Sequence, residues 1–169
     1  MTEIKKEYYT NGNIRTITTY LNNLRHGKKI SFYQNGNIMY ESSYSNDRLN
    51  GTTIAYYESG DIYYKTPYVN GKVHGIEIIY HENGNIKHEL PYYYGVLDGE
   101  RKFYYINGNI MRKTMYKNDK MHGRDIHYSS NGNIIWDRKY QNGIEIVKTK
   151  KSLLKDFISK IRNKKWKII

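Results

Sequence analysis

The chain contains no cysteine, which excludes disulfide frameworks, thiolate metal sites and cysteine nucleophiles. Core-filling side chains are also scarce. Hydrophobic residues make up 38% of the 169 positions, with three Phe and two Trp, too little to pack a closed globular core of ordinary kind. No run approaches the roughly 18 apolar residues a membrane span requires, and the first dozen residues lack the apolar segment of a secretory signal. The expectation is a soluble, non-secreted chain forming one repeat domain over residues 1–147, followed by a different segment at 148–169. What the sequence has in quantity is tyrosine, twenty of them. A large ring with a polar tip suits a half-buried sheet surface, and this argues against disorder.

The strongest signal is an ungapped period of 24 residues. Gly12, Gly36, Gly60, Gly84, Gly108 and Gly132 are each followed two residues later by isoleucine, from Ile14 to Ile134. Tyrosines recur six residues beyond each isoleucine, at Tyr20, Tyr44, Tyr68, Tyr92, Tyr116 and Tyr140, and a second glycine series occupies Gly27, Gly51, Gly75, Gly99 and Gly123. Each unit reads as two strands, because runs rich in Tyr, Ile and Thr are bounded on both sides by Asn-Gly-type turns. About six units give roughly twelve short antiparallel strands.

Side-chain parity fixes the turn. A two-residue Asn35-Gly36 loop would send Phe32 and Ile38 to opposite faces. A three-residue loop of Gln34, Asn35 and Gly36, with Gly36 at positive φ, sets Phe32 opposite Ile38 instead. The same holds for Tyr56 and Ile62, Tyr80 and Ile86, Tyr104 and Ile110, and Tyr128 and Ile134. Continued alternation predicts one apolar face carrying Tyr44, Ile62, Tyr68, Ile86, Tyr92 and Tyr116. It also predicts a polar opposite face bearing Glu41, Lys65, Glu89, Lys113 and Asp137, alternating in sign.

Catalytic chemistry is hard to find. His26, His74 and His122 share one loop position but lie two units apart, about 20 Å, far beyond the span of one metal site. Asn50 and Asp98 fill the same slot, as expected where a side chain bonds loop backbone. No recurring pair of carboxylates faces another, and the single-glycine turns do not lead into helices, which argues against phosphate loops. The reading is of no enzyme, no cofactor, no metal and no small-molecule substrate.

The unit Y-x-N-G-K-x-H-G-x-x-x-x-x-Y-x-x-N-G-N-I, clearest from Tyr68 to Ile86, resembles the MORN repeat in the variant common in bacterial and large-DNA-virus proteins. The resemblance fits an all-β, elongated, single-layer antiparallel meander, and a role in protein interaction is expected from the aromatic stripe that such a single layer leaves uncovered. Some bacterial members carry an antitoxin-like label. Where the eukaryotic form usually has a further glycine, this chain has Lys29, Thr53, Glu77, Arg101 and Asp125. Richness in Asn, Ile, Lys and Tyr fits an AT-rich genome, such as that of a giant virus or low-GC bacterium. The expected setting is cytoplasmic, in a host cytoplasm or virion if viral, with peripheral membrane attachment as a variant.

From residue 148 the period stops, and Leu153, Leu154, Phe157, Ile158 and Ile161 take helical spacing, predicting a C-terminal amphipathic helix. This segment holds nine Lys or Arg against one Asp. Two roles stay open for it. It caps the exposed end of the sheet, or it contacts an acidic membrane or nucleic acid through Lys160, Arg162, Lys164, Lys165, Trp166 and Lys167. For the repeats, the expected activity is binding of a protein partner through Tyr44, Tyr68, Tyr92 and Tyr116.

Overall fold

A computed structural model describes residues 1–147. The expected helix at 148–169 lies outside the described residues. Within them the chain is all β, one antiparallel sheet of 16 strands. The strands are β1 (Thr2–Tyr8), β2 (Ile14–Leu21), β3 (Leu24–Phe32), β4 (Ile38–Ser45), β5 (Arg48–Leu49), β6 (Gly51–Tyr56), β7 (Ile62–Val69), β8 (Lys72–Val73), β9 (Gly75–Tyr80), β10 (Ile86–Tyr93), β11 (Val96–Leu97), β12 (Gly99–Tyr104), β13 (Ile110–Lys117), β14 (Lys120–Tyr128), β15 (Ile134–Gln141) and β16 (Ile144–Glu145). Successive strands are spatial neighbours throughout, with β5, β8 and β11 pairing only with β4, β7 and β10. The count exceeds the expected twelve because β5–β6, β8–β9 and β11–β12 are strands interrupted at Asn50, His74 and Asp98, and because β16 adds a short last strand.

The hairpins form two rims. At one rim the Gly36 N–H donates to the Tyr33 carbonyl at 3.0 Å and the Tyr33 N–H to the Asn37 carbonyl at 2.8 Å, with Gly36 at φ 91°. This is the three-residue loop that parity demanded, and Phe32 stands opposite Ile38. At the other rim two-residue loops such as Asn46-Asp47 (φ 48° and 64°) and Asn70-Gly71 (φ 50° and 80°) form type I′ turns, whose twist matches the flanking strands.

A bulge corrects the expected faces. Tyr56 pairs with Ile62 but Ala55 pairs with Tyr64, so Tyr63 is an extra residue that resets the alternation. Arg15, Met39, Lys87, Met111 and Ile135 hold the same place in the other repeats. Ile62 and Ile86 therefore lie on the face opposite Tyr68 and Tyr92, not beside them. That opposite face is not simply polar either. A continuous row of facing residues runs Ile30, Glu41, Ile54, Lys65, Ile78, Glu89, so isoleucines separate the charges. Its aromatics reach the carboxylates, as where the Tyr56 hydroxyl donates to Glu41 Oε1 at 3.2 Å.

The most buried residues concentrate on the tyrosine face. Thr66 and Thr114 are 2% exposed and Asp125 1%, with Thr18, Thr53, Ala55 and Leu90 also buried. Here the facing pairs Thr18–Lys29, Lys29–Ser42, Thr53–Thr66, Glu77–Leu90, Arg101–Thr114 and Thr114–Asp125 form a central row. A single layer thus gains its core from polar side chains that bond one another: Thr66 Oγ1 donates to Glu77 Oε2 at 2.7 Å and Thr53 Oγ1 to Ser42 Oγ at 3.2 Å.

Candidate interaction face

Tyr44, Tyr68, Tyr92 and Tyr116 occupy equivalent register positions on the tyrosine face, opposite Gly27, Gly51, Gly75 and Gly99 respectively. The pairing has a steric cause. A glycine leaves space across the strand pair, and the facing aromatic covers backbone that would otherwise be wet. All four rings are half-buried, a more sheltered position than an open stripe. Burial pushes the Tyr68 and Tyr92 hydroxyls above their usual range, and Glu77 adds to the shift at both. These phenols stay protonated at neutral pH and remain hydrogen-bond donors.

On the far side of the buried row lies a second aromatic series. Tyr40 and Tyr64 approach with ring centroids 6.5 Å apart, His88 meets Phe103 edge-on at 4.5 Å, and His127 meets Trp136 at 5.4 Å. Toward the C-terminal repeats arginines join this series. Arg101 stacks over Phe103 at 4.3 Å, while Arg112 and Arg138 lie over Trp136 at 5.3 and 5.0 Å. Arg112 also clamps Asp125 through two bonds, Nε to Oδ1 at 2.7 Å and Nη2 to Oδ2 at 2.8 Å. That bond raises the Arg112 pKa further. His88 is held below the usual imidazole range, chiefly by burial and then by Lys87 and Arg101, so it is neutral at pH 7.

The slot shared by His26, Asn50, His74, Asp98 and His122 bonds loop backbone at Asn50, His74 and Asp98, whereas His26 Nδ1 is buried with no hydrogen-bond partner among the described residues. Asn50 Oδ1, His74 Nδ1 and Asp98 Oδ2 accept from the N–H groups of Asn70, Tyr94 and Asn118, each the first residue of a type I′ turn one repeat on, at 3.2, 3.3 and 3.3 Å. His122 Nδ1 lies 3.3 Å from Asn142 Oδ1 in the matching place. Among the described residues no group of three His, Asp or Glu side chains is placed to hold a metal ion. Lys160, Arg162, Lys164, Lys165, Trp166 and Lys167 lie outside the described residues.

Sequence reasoning missed two features. One is the arginine-aromatic half of the face, signalled only by Arg101 and Asp125 at the repeat position that Lys29, Thr53 and Glu77 fill in other units. The other is an aromatic cluster on the type I′ rim, where Tyr94 replaces the usual Asn at φ 49°. Its ring lies 4.3 Å from His74 and 5.0 Å from Tyr93, which is 64% exposed. The triplet Tyr92-Tyr93-Tyr94 before Gly95 was the available sign.

None of the curated proteins matches the chain. The family described as MORN repeat variant matches at residues 4–22, 25–46, 49–70, 73–92 and 97–118, more than half of the chain. The structure extends the same pattern one unit beyond these matches, with Gly123 facing Tyr140 and a final type I′ turn at Asn142-Gly143. In period, turn chemistry and pairing alike, the chain belongs to the MORN repeat variant family.

Proposed function

We propose that the protein is a non-catalytic repeat scaffold that binds a protein partner through its tyrosine face. The observation that carries this reading is the register of Tyr44, Tyr68, Tyr92 and Tyr116, repeated in four successive units on a face with no second layer among the described residues. Half-buried phenols over a bonded polar floor offer fixed apolar area with hydroxyls at regular spacing, which suits a peptide or helix more than a small molecule. Tyr68→Ser combined with Tyr92→Ser should abolish capture of the partner that the wild-type chain retains from its native source. Glu41→Ala with Lys65→Ala, on the opposite face, should leave capture intact. A double tyrosine variant with an unchanged β-sheet spectrum and undiminished capture overturns the reading.

A second reading concerns residues 148–169, whose nine Lys or Arg against one Asp favour contact with a polyanion. Full-length protein should bind anionic vesicles or nucleic acid in a strongly salt-dependent way, and residues 1–147 should not. Equal binding by both forms removes the tail from the account.

A further inference from the structure

The tyrosine face carries two arginines in different states on neighbouring strands, Arg101 in the buried row and Arg112 in the aromatic series beside it. Arg112 has its carboxylate, Asp125, at 2.7 and 2.8 Å. Arg101, one strand away on the same face, has a buried Nε with no hydrogen-bond partner among the described residues. Its guanidinium lies over the Phe103 ring, 4.3 Å from the centroid, and its charge adds to the lowering of the His88 pKa by burial and partly offsets the burial that raises the Tyr92 hydroxyl. A buried donor left unmade is costly, and a cationic one more so. The Arg112–Asp125 pair shows how this fold satisfies such a group.

We propose that Arg101 is the anchor for one carboxylate of an extended peptide lying across the tyrosine face, with Tyr92, on the neighbouring strand of the same face, offering its hydroxyl as a second donor. This rests on the reading of that face as a peptide-binding surface and names what it selects. Three observations fix the occupant. The tail at 148–169, with nine Lys or Arg and a single Asp, is mismatched in charge to a site that lacks a carboxylate. A second copy of the chain, net +12, is mismatched likewise. A nucleic acid fits poorly, because the row from Lys29 to Arg101 passes Ser42, Thr53, Thr66, Glu77 and Leu90 without a cation, and Glu77 opposes a track of phosphates. The face therefore favours one acidic residue flanked by neutral ones.

The test uses the full chain and two capped nonapeptides of serine and leucine, one with a central glutamate and one with glutamine there, plus a nine-nucleotide oligothymidine. Binding is followed by tyrosine fluorescence. The glutamate peptide should bind about tenfold more tightly than the glutamine peptide, the scale of a charge-assisted hydrogen bond. Arg101→Gln should reduce it to the glutamine level. Arg101→Lys, which keeps the charge and the fold but loses the Nε donor, should do most of the same, and Arg124→Gln on the opposite face should not. Equal binding of both peptides overturns the anchor while leaving the peptide face standing. Absence of binding by either overturns both, and tighter binding of the oligothymidine assigns Arg101 to a phosphate instead.

Discussion

The two rims of the sheet use glycine for different reasons. At the three-residue loops Gly12, Gly36, Gly60, Gly84, Gly108 and Gly132 have positive φ, and a Cβ added there would meet nothing within 4 Å. Near the type I′ turns the second glycine series also has positive φ, and beyond Gly27 an added Cβ would press on the facing strand: Ser43 at 3.2 Å from Gly51, Pro67 at 3.1 Å from Gly75, and Met115 at 2.9 Å from Gly123. One rim asks only for a backbone conformation. The other asks for that and for empty space. The bonds that tie neighbouring repeats differ accordingly. The first rim uses long side chains reaching forward, with the Tyr33 hydroxyl donating to the Tyr56 carbonyl at 2.7 Å and Asn37 Nδ2 to the Glu58 carbonyl at 2.8 Å. The second relies on close backbone approach, as where the Gly71 N–H donates to the Leu49 carbonyl at 2.7 Å.

This contrast also accounts for the prolines. Pro67 lies in the middle of the sheet, where the missing N–H would ordinarily break a ladder. Its carbonyl accepts from the His74 N–H at 3.0 Å at the bulge, and Pro91 accepts from Asp98 in the same way. The interrupted strand beside it requires no donor at that point.

The sharpest break of the comparison is Gly123→Ala, which combines positive φ with a collision against Met115 and should cost about 3 kcal/mol in denaturant unfolding. Gly36→Ala meets the conformational penalty alone and should cost about 1 kcal/mol. Equal losses at the two positions would mean that the bulge relaxes and the rims are not distinct. The smallest effect is on acidity. Side-chain and backbone bonds from Arg25 hold the Asp47 carboxyl below its usual range. A carboxyl depressed in the folded chain stabilises it above the unfolded pKa of about 4, and that contribution is lost as pH falls through the folded pKa. Acidification should therefore lower amide protection at Arg25 before it does so at Gly36, and Asp47→Asn should remove the difference. Parallel loss at both amides would show that the rims respond as one.

Much of this was legible in the residues. The period, the three-residue turn and the pairing of Phe32 with Ile38 follow from glycine placement and parity, because those depend on local backbone sterics. The bonding role of the His74 position follows from the Asn50 and Asp98 that share it, whereas the two-residue type I′ turns of the other rim were not read from the sequence. Nor was the bulge at Tyr63. Any residue type takes that place, from Arg15 to Ile135, so no side chain marks it, and one unmarked residue was enough to carry the isoleucines to the other face. The Arg112–Asp125 clamp was hidden for another reason. It joins residues 13 apart through facing strands, and only the register beyond the irregularity between Thr114 and Tyr116 brings them together.

The ties between repeats span 20 to 23 residues, from Asn70 back to Asn50 and from Tyr33 forward to Tyr56. Each donor thus reaches an acceptor at a fixed place in the adjoining unit. Loss of 24 consecutive residues rejoins Tyr33 to an equivalent carbonyl, whereas loss of twelve would set one kind of rim against the other. Insertions and deletions in such a chain are quantised, and its length can change during evolution only in whole repeats without exchanging the rims.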